Sequence, residues 1–316
     1  MRFSQKLSED GLPACDERSG WMRMNEELCR RMITSILSEE MNQYGEGIMN
    51  SGQEEKYRVS RIADICTDVA MTLVKQVQKG QVKEMAFEKR FGAGEDIGPI
   101  KVNVGDKTVL LRGIIDRMDI LDTGSGQDAV RIVDYKTGDA EIRKEYYDTG
   151  YKLQLMVYMN AVLGEGGETL VPAGVFHFNI SEMDENDDVG GVSAEDYEGR
   201  RDRNYRLKGF VLNDEKIIRA MDREFASESD VIPVKIKKDE TYAAAANGRL
   251  FSGDEFRELC NQVNEQVGRI CSEILSGNIK AAPVQESTLK TACTYCNYRS
   301  VCMFDTSFSG CRYVKC

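Results

Sequence analysis

The first part of the chain has the hydrophobic pattern of amphipathic helices. Apolar residues recur three or four positions apart within a charged background: Met32, Ile33, Ile36 and Leu37, and later Val59, Ile62, Ile65 and Ala70. This spacing places the apolar side chains along one stripe of a helix. The pattern predicts that residues 1–84 are helical, with one helix over about 55–84.

Short apolar runs rich in β-branched residues then replace the helical pattern. We predict strands at 85–91, 100–104, 108–120 and 129–135, with a hairpin loop between the last two that is longer than a tight turn. A helical pattern returns over 141–163, and a further strand at 173–180 contains His177. Strands followed by a helix and another strand predict an α/β fold with a mixed central β-sheet flanked by helices.

The remaining pattern suggests how the chain is divided. The strongly acidic segment 181–200 predicts a solvated loop, and residues 252–275 predict a long amphipathic helix before a cysteine-rich end. We therefore expect a helical N-terminal part (1–84), an α/β core (85–285) with the acidic loop inserted in it, and a cysteine-rich tail (286–316).

Composition narrows the class of protein. With 41% hydrophobic and 30% charged residues, the chain is typical of a soluble globular protein, and no apolar stretch approaches the roughly 20 residues of a membrane span. Ten cysteines without a secretory signal favour metal or cluster ligation over disulfides and a cytoplasmic location. The single histidine excludes multi-histidine sites, among them most zinc-hydrolase sites.

Candidate chemistry lies at the polar ends of two predicted strands. Asp134 and Lys136 are two apart and share a face of their strand, and hairpin pairing can bring Asp116 beside Asp134. Two converging carboxylates favour a hard divalent cation, Mg²⁺ or Mn²⁺. Such a cation polarises a phosphate and lowers the pKa of bound water, while Lys136 can hold or deprotonate that water or neutralise the developing charge.

Two further polar residues follow on the predicted helix. Gln154 and Tyr158 are four apart and share a helix face, from which they can position the water, Lys136 or a DNA phosphate. Taken singly, each feature has an ordinary explanation: a strand-end Asp caps a turn, an Asp-x-Lys pair is a surface ion pair, and Gln154 and Tyr158 form a helix face. Their occurrence together, in this order, favours a phosphodiesterase site.

The motifs Gly113-x-x-Asp116-Arg-x-Asp119, Asp134-Tyr-Lys136 and Gln154-x-x-x-Tyr158 resemble those of the PD-(D/E)XK nucleases, in the RecB-like branch. The resemblance implies a restriction-endonuclease-like mixed sheet and metal-dependent DNA hydrolysis. It implies metal ligation by Asp116, Asp134 and Tyr135, with Lys136 as catalytic lysine and Gln154 and Tyr158 as catalytic helical motif. Arg117 and Asp119 are expected to form a local salt bridge.

The tail contains three closely spaced cysteines, Cys293, Cys296 and Cys302. Their spacing is compatible with zinc or with an iron–sulfur centre. Downstream of nuclease motifs, the arrangement resembles the C-terminus of AddB, the second nuclease-bearing subunit of AddAB helicase–nucleases. In that family the three cysteines and a fourth, far upstream, hold a [4Fe–4S] cluster.

Two departures from the family pattern matter. RecB-like nucleases carry a metal-ligand histidine on an N-terminal helix, whereas His177 lies on a later strand, where we expect a core or surface strand residue. Cys15, Cys29 and Cys66 do not fit the position of the fourth cluster cysteine. We expect a C-terminal piece of a longer AddB-like protein that lacks one metal ligand and one cluster ligand, leaving the cluster absent or incomplete unless Cys311 or Cys15 substitutes.

Three functions compete at this point. The leading hypothesis is an exonuclease domain that acts on single-stranded DNA ends in double-strand-break repair by homologous recombination, with an AddA-like helicase–nuclease subunit as partner. The alternatives are a catalytically inactive DNA-binding or scaffold fragment and a CRISPR-associated stand-alone exonuclease. The basic and aromatic residues of the tail suit single-stranded DNA and packing around a cluster equally.

Overall fold

The computed structural model describes residues 1–43, 52–138, 141–180 and 194–316. The helices are α1 (Arg2–Ser8), α2 (Gly20–Arg23), α3 (Glu26–Gln43), α4 (Gln53–Lys79), α5 (Glu145–Asp148), α6 (Gln154–Gly166), α7 (Ala194–Asn204), α8 (Glu215–Met221), α9 (Gly253–Leu275) and α10 (Arg299–Cys302). The strands are β1 (Val82–Phe91), β2 (Ile100–Val104), β3 (Lys107–Leu111), β4 (Gly113–Asp122), β5 (Asp128–Lys136), β6 (Leu170–Asn179), β7 (Lys208–Leu212), β8 (Val234–Ile236), β9 (Tyr242–Ala244), β10 (Gly248–Phe251), β11 (Val284–Gln285) and β12 (Val314–Lys315).

The central sheet has six strands in the order β1-β4-β5-β6-β7-β10. Strands β4 and β5 are antiparallel, β5 and β6 are parallel, β6 and β7 are antiparallel, and β7 and β10 are parallel. A parallel pair requires a crossover connection, and α5 and α6 lie in the connection between β5 and β6. The mixed sheet with helices confirms the predicted α/β class.

Contacts divide the chain into two compact units that interleave along the sequence. The first comprises residues 1–89, 114–141 and 167–253, and the second comprises residues 90–113, 142–166 and 254–316. The first unit contains most of the six-stranded sheet, and the second contains the β2–β3 hairpin, α6, α9 and the tail. The division into three consecutive segments stays a prediction.

Each unit has its own helical packing. In the first, α3 packs on α4 around residues such as Cys29 and Val74, both fully buried, and Gln78 Nε2 donates to the Trp21 carbonyl at 2.9 Å. In the second, α9 buries Phe256 and Val263, and Asn160 of α6 donates to the Cys260 carbonyl at 3.0 Å. The predicted helix at 252–275 is therefore confirmed.

The predicted strand at 108–120 is two strands. Strand β3 pairs with β2 in a separate hairpin, and β4 joins the central sheet, with Arg112 between them. Gly113 stands at this break because a Cβ atom there would lie 2.5 Å from the Phe91 ring. A contact with a residue distant in sequence therefore ends one strand and begins the next.

Two helix predictions also need correction. The helix expected over 141–163 is divided into α5 and α6, and Gly150 between them has a left-handed φ of 74° that a helix interior does not adopt. Part of the acidic segment 181–200, residues 181–193, lies outside the described residues. From Ala194 the chain forms α7 rather than a loop, and the Tyr197 hydroxyl donates to Asp68 of α4 at 2.8 Å.

An ion triad is buried between β4 and β5. Asp119 pairs in register with Arg131 and accepts hydrogen bonds from Arg117 Nε at 2.8 Å and from Arg131 Nη2 at 2.6 Å. All three side chains are completely buried. The expected Arg117–Asp119 salt bridge is confirmed, and Arg131 is a second partner that the sequence pattern did not indicate. No helix within the described ranges is long and apolar enough to cross a membrane.

We predict that Asp119→Asn lowers the free energy of unfolding by about 3–5 kcal/mol, because the substitution leaves two buried guanidinium groups without a counter-charge. Denaturant unfolding measures the loss. Asp10→Asn, at an exposed turn of the same unit, is the control and should change stability by no more than about 0.5 kcal/mol. An Asp119→Asn protein as stable as the control would contradict the importance of the triad.

The same pair of proteins should show a defined pH dependence. Burial alone would raise the pKa of Asp119, but Arg117 and Arg131 outweigh burial and hold that pKa below its usual value of 3.8. The carboxylate therefore stabilises the fold above the unfolded-state pKa, and this contribution is lost as pH falls through the lower folded-state pKa. The stability difference between wild type and Asp119→Asn should shrink in that acidic range.

Candidate active site

The three residues predicted to carry the chemistry lie together at one end of β4 and β5. Arg117 pairs with Val133, and one further step along the antiparallel register places Asp116 opposite Asp134. The backbone N–H of Tyr135 donates to Asp116 Oδ2 at 3.0 Å, which fixes the half-buried carboxylate at the strand end. Alternation along β5 puts Lys136 on the same face as Asp134.

Asp134 is the most deeply buried member of this group, with 1% of its surface exposed. Its Oδ2 lies 2.5 Å from Lys136 Nζ. The same oxygen lies 3.7 Å from Nε2 of His177, which pairs in register with Asp134 on the parallel strand β6. His177 is thus a buried strand residue, and its neighbour Asp134 is the feature that sequence reasoning missed.

Both carboxyl groups are in surroundings that disfavour their charge. Burial raises the pKa of Asp116, and the charge of Asp134 raises it further, against the opposing Tyr135 N–H and Lys136. Burial also raises the pKa of Asp134, although its hydrogen bond and ion pair with Lys136 oppose the shift. Neighbouring carboxylates with raised pKa values are typical of functional sites, and a bound cation would offset the cost of their ionisation.

The donor atoms suit a hard cation. Asp116 and Asp134 provide oxygen ligands, which Mg²⁺ and Mn²⁺ prefer. Across the described ranges, no group of three or more His, Cys, Asp or Glu side chains is placed to hold a metal ion. Water and a substrate phosphate would therefore have to supply the remaining ligands, as is usual for Mg²⁺.

Tyr135 contributes to this site only through its main chain. Its side chain points to the opposite face of β5, where the ring packs edge-on against Phe178 at a centroid distance of 5.6 Å. The hydroxyl lies beside the buried Arg117 charge, and burial raises the pKa of this phenol. The expected metal ligation by Tyr135 therefore cannot use the phenol oxygen.

Gln154 and Tyr158 belong to the second unit and contact each other there. Gln154 Nε2 donates to the Tyr158 hydroxyl at 2.9 Å, as their spacing on one helix face suggests. The Tyr158 ring packs edge-on against Phe91 at 5.8 Å, and a Cβ at Gly113 would lie 3.2 Å from it. Gly113, the first residue of the Gly-x-x-Asp motif, is therefore a close-packing position for the tyrosine of the helical motif.

The three tail cysteines line one cavity of about 330 Å³ in the second unit. Parallel pairing of β12 with β11 brings the end of the chain back beside the start of the tail. Phe304 and Tyr313 also line the cavity and pack edge-on at 5.0 Å. Cys311 is half-buried and is not among the residues that line this cavity.

The other aromatic residues of the tail face outward. Tyr295 is 93% exposed, Tyr298 is 75% exposed and Phe308 is 64% exposed. Residues 276–316 carry five basic and two acidic residues, against a net charge of −11 for the whole chain. One acidic residue, Glu286, already pairs with Lys152 at 2.7 Å. These three aromatic rings are therefore available to a ligand and do not pack around the cysteines.

Several remaining cysteines have packing roles. Cys29 is buried, and burial raises the pKa of its thiol to about 12. Burial raises the pKa of Cys260 to about 11, and Cys271 is buried on the same helix, as expected for packing residues. These thiols stay protonated at neutral pH and are poor nucleophiles or metal ligands.

The chain is similar to known proteins over nearly its whole length. A sequence profile of the PD-(D/E)XK nuclease superfamily matches residues 11–303. Proteins named as the B-type subunit of ATP-dependent helicase/deoxyribonuclease are similar as well. The one from Clostridium tetani is 32% identical over 93% of this chain, and the one from Clostridium acetobutylicum is 31% identical over 99%.

The chain spans about a quarter of the length of these curated relatives, 26% and 27% respectively. The profile match includes β4, β5 and α6, and with them Asp116, Asp134, Lys136, Gln154 and Tyr158. On this match, the chain belongs to the PD-(D/E)XK nuclease superfamily.

Proposed function

We propose that the chain is the nuclease domain of an AddAB-type helicase–nuclease and hydrolyses single-stranded DNA with Mg²⁺ or Mn²⁺. The observation that carries the proposal is the convergence of Asp116, Asp134 and Lys136 at one end of β4 and β5. Its setting would be double-strand-break repair by homologous recombination in the cytoplasm, with an AddA-like helicase–nuclease as partner. The names of its relatives support this assignment.

The chain's own residues divide the work at this site. Asp116 and Asp134 would hold the cation, which when bound polarises the scissile phosphate and lowers the pKa of a water molecule. The Tyr135 N–H keeps the Asp116 carboxylate in place. The Lys136 ammonium, partly exposed beside Asp134, can orient the attacking water or stabilise the negative charge that develops on the phosphate.

Gln154 and Tyr158 would act as a pair. Their mutual hydrogen bond restricts both side chains, and we propose that they position a DNA phosphate or the reacting groups. The packing of Tyr158 against Phe91 and beside Gly113 holds the ring in one orientation, which favours positioning over proton transfer.

We predict that the chain degrades end-labelled single-stranded DNA only when Mg²⁺ or Mn²⁺ is present. Asp116→Ala and Lys136→Ala should each lower the rate by about 100-fold or more, because each removes a charge that acts on the transition state. Asp106→Ala, in the exposed turn between β2 and β3, is the control and should keep the wild-type rate. Denaturing gels over a time course measure the products, and a blunt duplex tests strand preference.

The same experiment separates the competing functions. Metal-dependent activity that survives in Asp116→Ala would contradict the proposed site. A folded wild-type chain that binds DNA and never cleaves it would favour the inactive scaffold. A stand-alone exonuclease is the second alternative, and a chain whose rate does not respond to an AddA-like partner would favour it.

The cysteine cavity is the proposed place of a [4Fe–4S] cluster. Cys293, Cys296 and Cys302 provide three thiol groups around one space, and three cysteines are one short of a complete ligand set. A water, a small thiol or Cys311 after a local shift would complete it. The alternative, zinc, would use the same three sulfur atoms.

We predict that chain purified without oxygen contains iron and acid-labile sulfide in about equal amounts, as in a [4Fe–4S] cluster. Cys293→Ser and Cys302→Ser should lose most of this iron, while Cys260→Ser, at a packing position, should retain it. Elemental analysis and the visible absorption spectrum are the measurements. Zinc in place of iron, or metal-free wild-type protein, would contradict the cluster.

The exposed tail aromatics are the proposed contact for single-stranded DNA. Bases stack on exposed rings, and neighbouring basic side chains track the phosphates; Lys290, Arg299, Arg312 and Lys315 are all exposed here. A net basic segment in an acidic chain is complementary to DNA in charge.

We predict that Tyr295→Ala and Tyr298→Ala each weaken binding of an oligo-dT strand by about 5- to 100-fold, the loss expected for one stacked base. Tyr57→Ala is the matched control, since Tyr57 is 64% exposed on α4. Fluorescence anisotropy in the Asp116→Ala background, without divalent metal, measures affinity. Equal affinities in all three variants would place the DNA contact elsewhere.

A further inference from the structure

We propose that His177 is a positioning residue of the active site, whose imidazole holds the Asp134 carboxylate in the orientation that metal binding requires. This inference rests on the proposed nuclease site, because it concerns one of that site's carboxylates. It assigns a role to the chain's single histidine, which the family motifs do not include.

The first argument is the register of the sheet. Asp134 pairs with His177 across β5 and β6, and His177 pairs with Lys208 across β6 and β7. Paired residues on adjacent strands project to the same face. Asp116, Asp134, His177 and Lys208 therefore form a row across four neighbouring strands, with His177 directly beside the more buried carboxylate.

The second argument is the environment of one oxygen atom. Asp134 Oδ2 lies 2.5 Å from Lys136 Nζ and 3.7 Å from His177 Nε2. The two nitrogen groups differ in freedom: the Lys136 side chain is 35% exposed, whereas the His177 side chain is 9% exposed on an interior strand of the sheet. A small closure of the 3.7 Å gap would make an N–H···O hydrogen bond.

The third argument is the chemistry that the site requires. Lys136 cannot both neutralise Asp134 and act on a phosphate or water at full strength, because each interaction competes for the same ammonium group. When Lys136 turns to the substrate, Asp134 needs another group to hold it. Carboxylates that ligate metal ions are themselves hydrogen-bonded, and these outer partners tune metal affinity. His177 is the rigid neighbour in position to do so.

A simple packing role predicts something different. If His177 only fills space, a residue of similar volume without nitrogen should support the same metal affinity. If it positions Asp134, metal affinity should depend on an N–H group near the Nε2 position. The amide of Gln can reach that position and the shorter Asn cannot, so the two amides distinguish a donor at the correct distance from polarity alone.

The test is an electron paramagnetic resonance titration of Mn²⁺ into the DNA-free chain. We expect His177→Phe to raise the Mn²⁺ dissociation constant by about 10- to 100-fold, the usual effect of losing a group that supports a metal ligand. His177→Gln should restore most of the affinity and His177→Asn should not. In nuclease assays, the apparent metal requirement should shift in the same order, while KM for DNA stays unchanged.

Val175→Ala is the matched control for packing. Val175 is fully buried on β6, two positions before His177 and on the same face. Its truncation should lower the midpoint of thermal unfolding and leave Mn²⁺ affinity unchanged. If Val175→Ala weakens Mn²⁺ binding as much as His177→Phe does, packing explains both and the proposal is overturned.

The outcomes separate this inference from the proposed function. If Asp134→Asn abolishes Mn²⁺ binding and folded His177→Phe binds like wild type, the nuclease site stands and the role of His177 is wrong. If His177→Phe does not fold, the comparison of Gln with Asn decides, and equal affinities would overturn the proposal. If Asp134→Asn binds Mn²⁺ like wild type, the proposed metal site itself is wrong.

Discussion

The site depends on the register of β4 against β5, and the buried ion triad is the interaction that fixes it. Asp119 binds Arg117 of its own strand and Arg131 directly opposite. A slip of one residue would move every side chain of β4 to the other face of the sheet and separate these charges in a dry environment. The same register puts Asp116 opposite Asp134, so the charges on one face determine where the chemistry can occur on the other.

Much of this arrangement could be predicted from the sequence because it is local. Asp134 and Lys136 share a face through the two-residue period of a strand, and the Arg117–Asp119 pair follows from the same period. The position of Asp116 needed only a hairpin between neighbouring strands. Arg131 was missed because it lies within an apolar run, where nothing in the local pattern indicates a partner twelve residues earlier.

The features that escaped prediction depend on contacts between distant segments. Phe91 and Tyr158 both approach Gly113, and this contact separates β3 from β4. The place of His177 depends on the parallel pairing of β5 with β6, which joins residues 43 positions apart. Periodicity identifies a strand and its faces, but it does not identify the neighbouring strand or its register. A histidine that looks like an ordinary strand residue can therefore adjoin an active-site carboxylate.

The two faces of β4 and β5 treat their acidic residues in opposite ways, and this difference locates the function. On one face, two arginines surround Asp119 and lower its pKa, so the charge is stabilised within the protein itself. On the other face, burial raises the pKa values of Asp116 and Asp134, and Lys136 alone offsets part of that cost. A protein that needed these carboxylates only for stability would compensate both faces. The incomplete compensation is what a site for a divalent cation requires, because the cation supplies the missing positive charge when it binds.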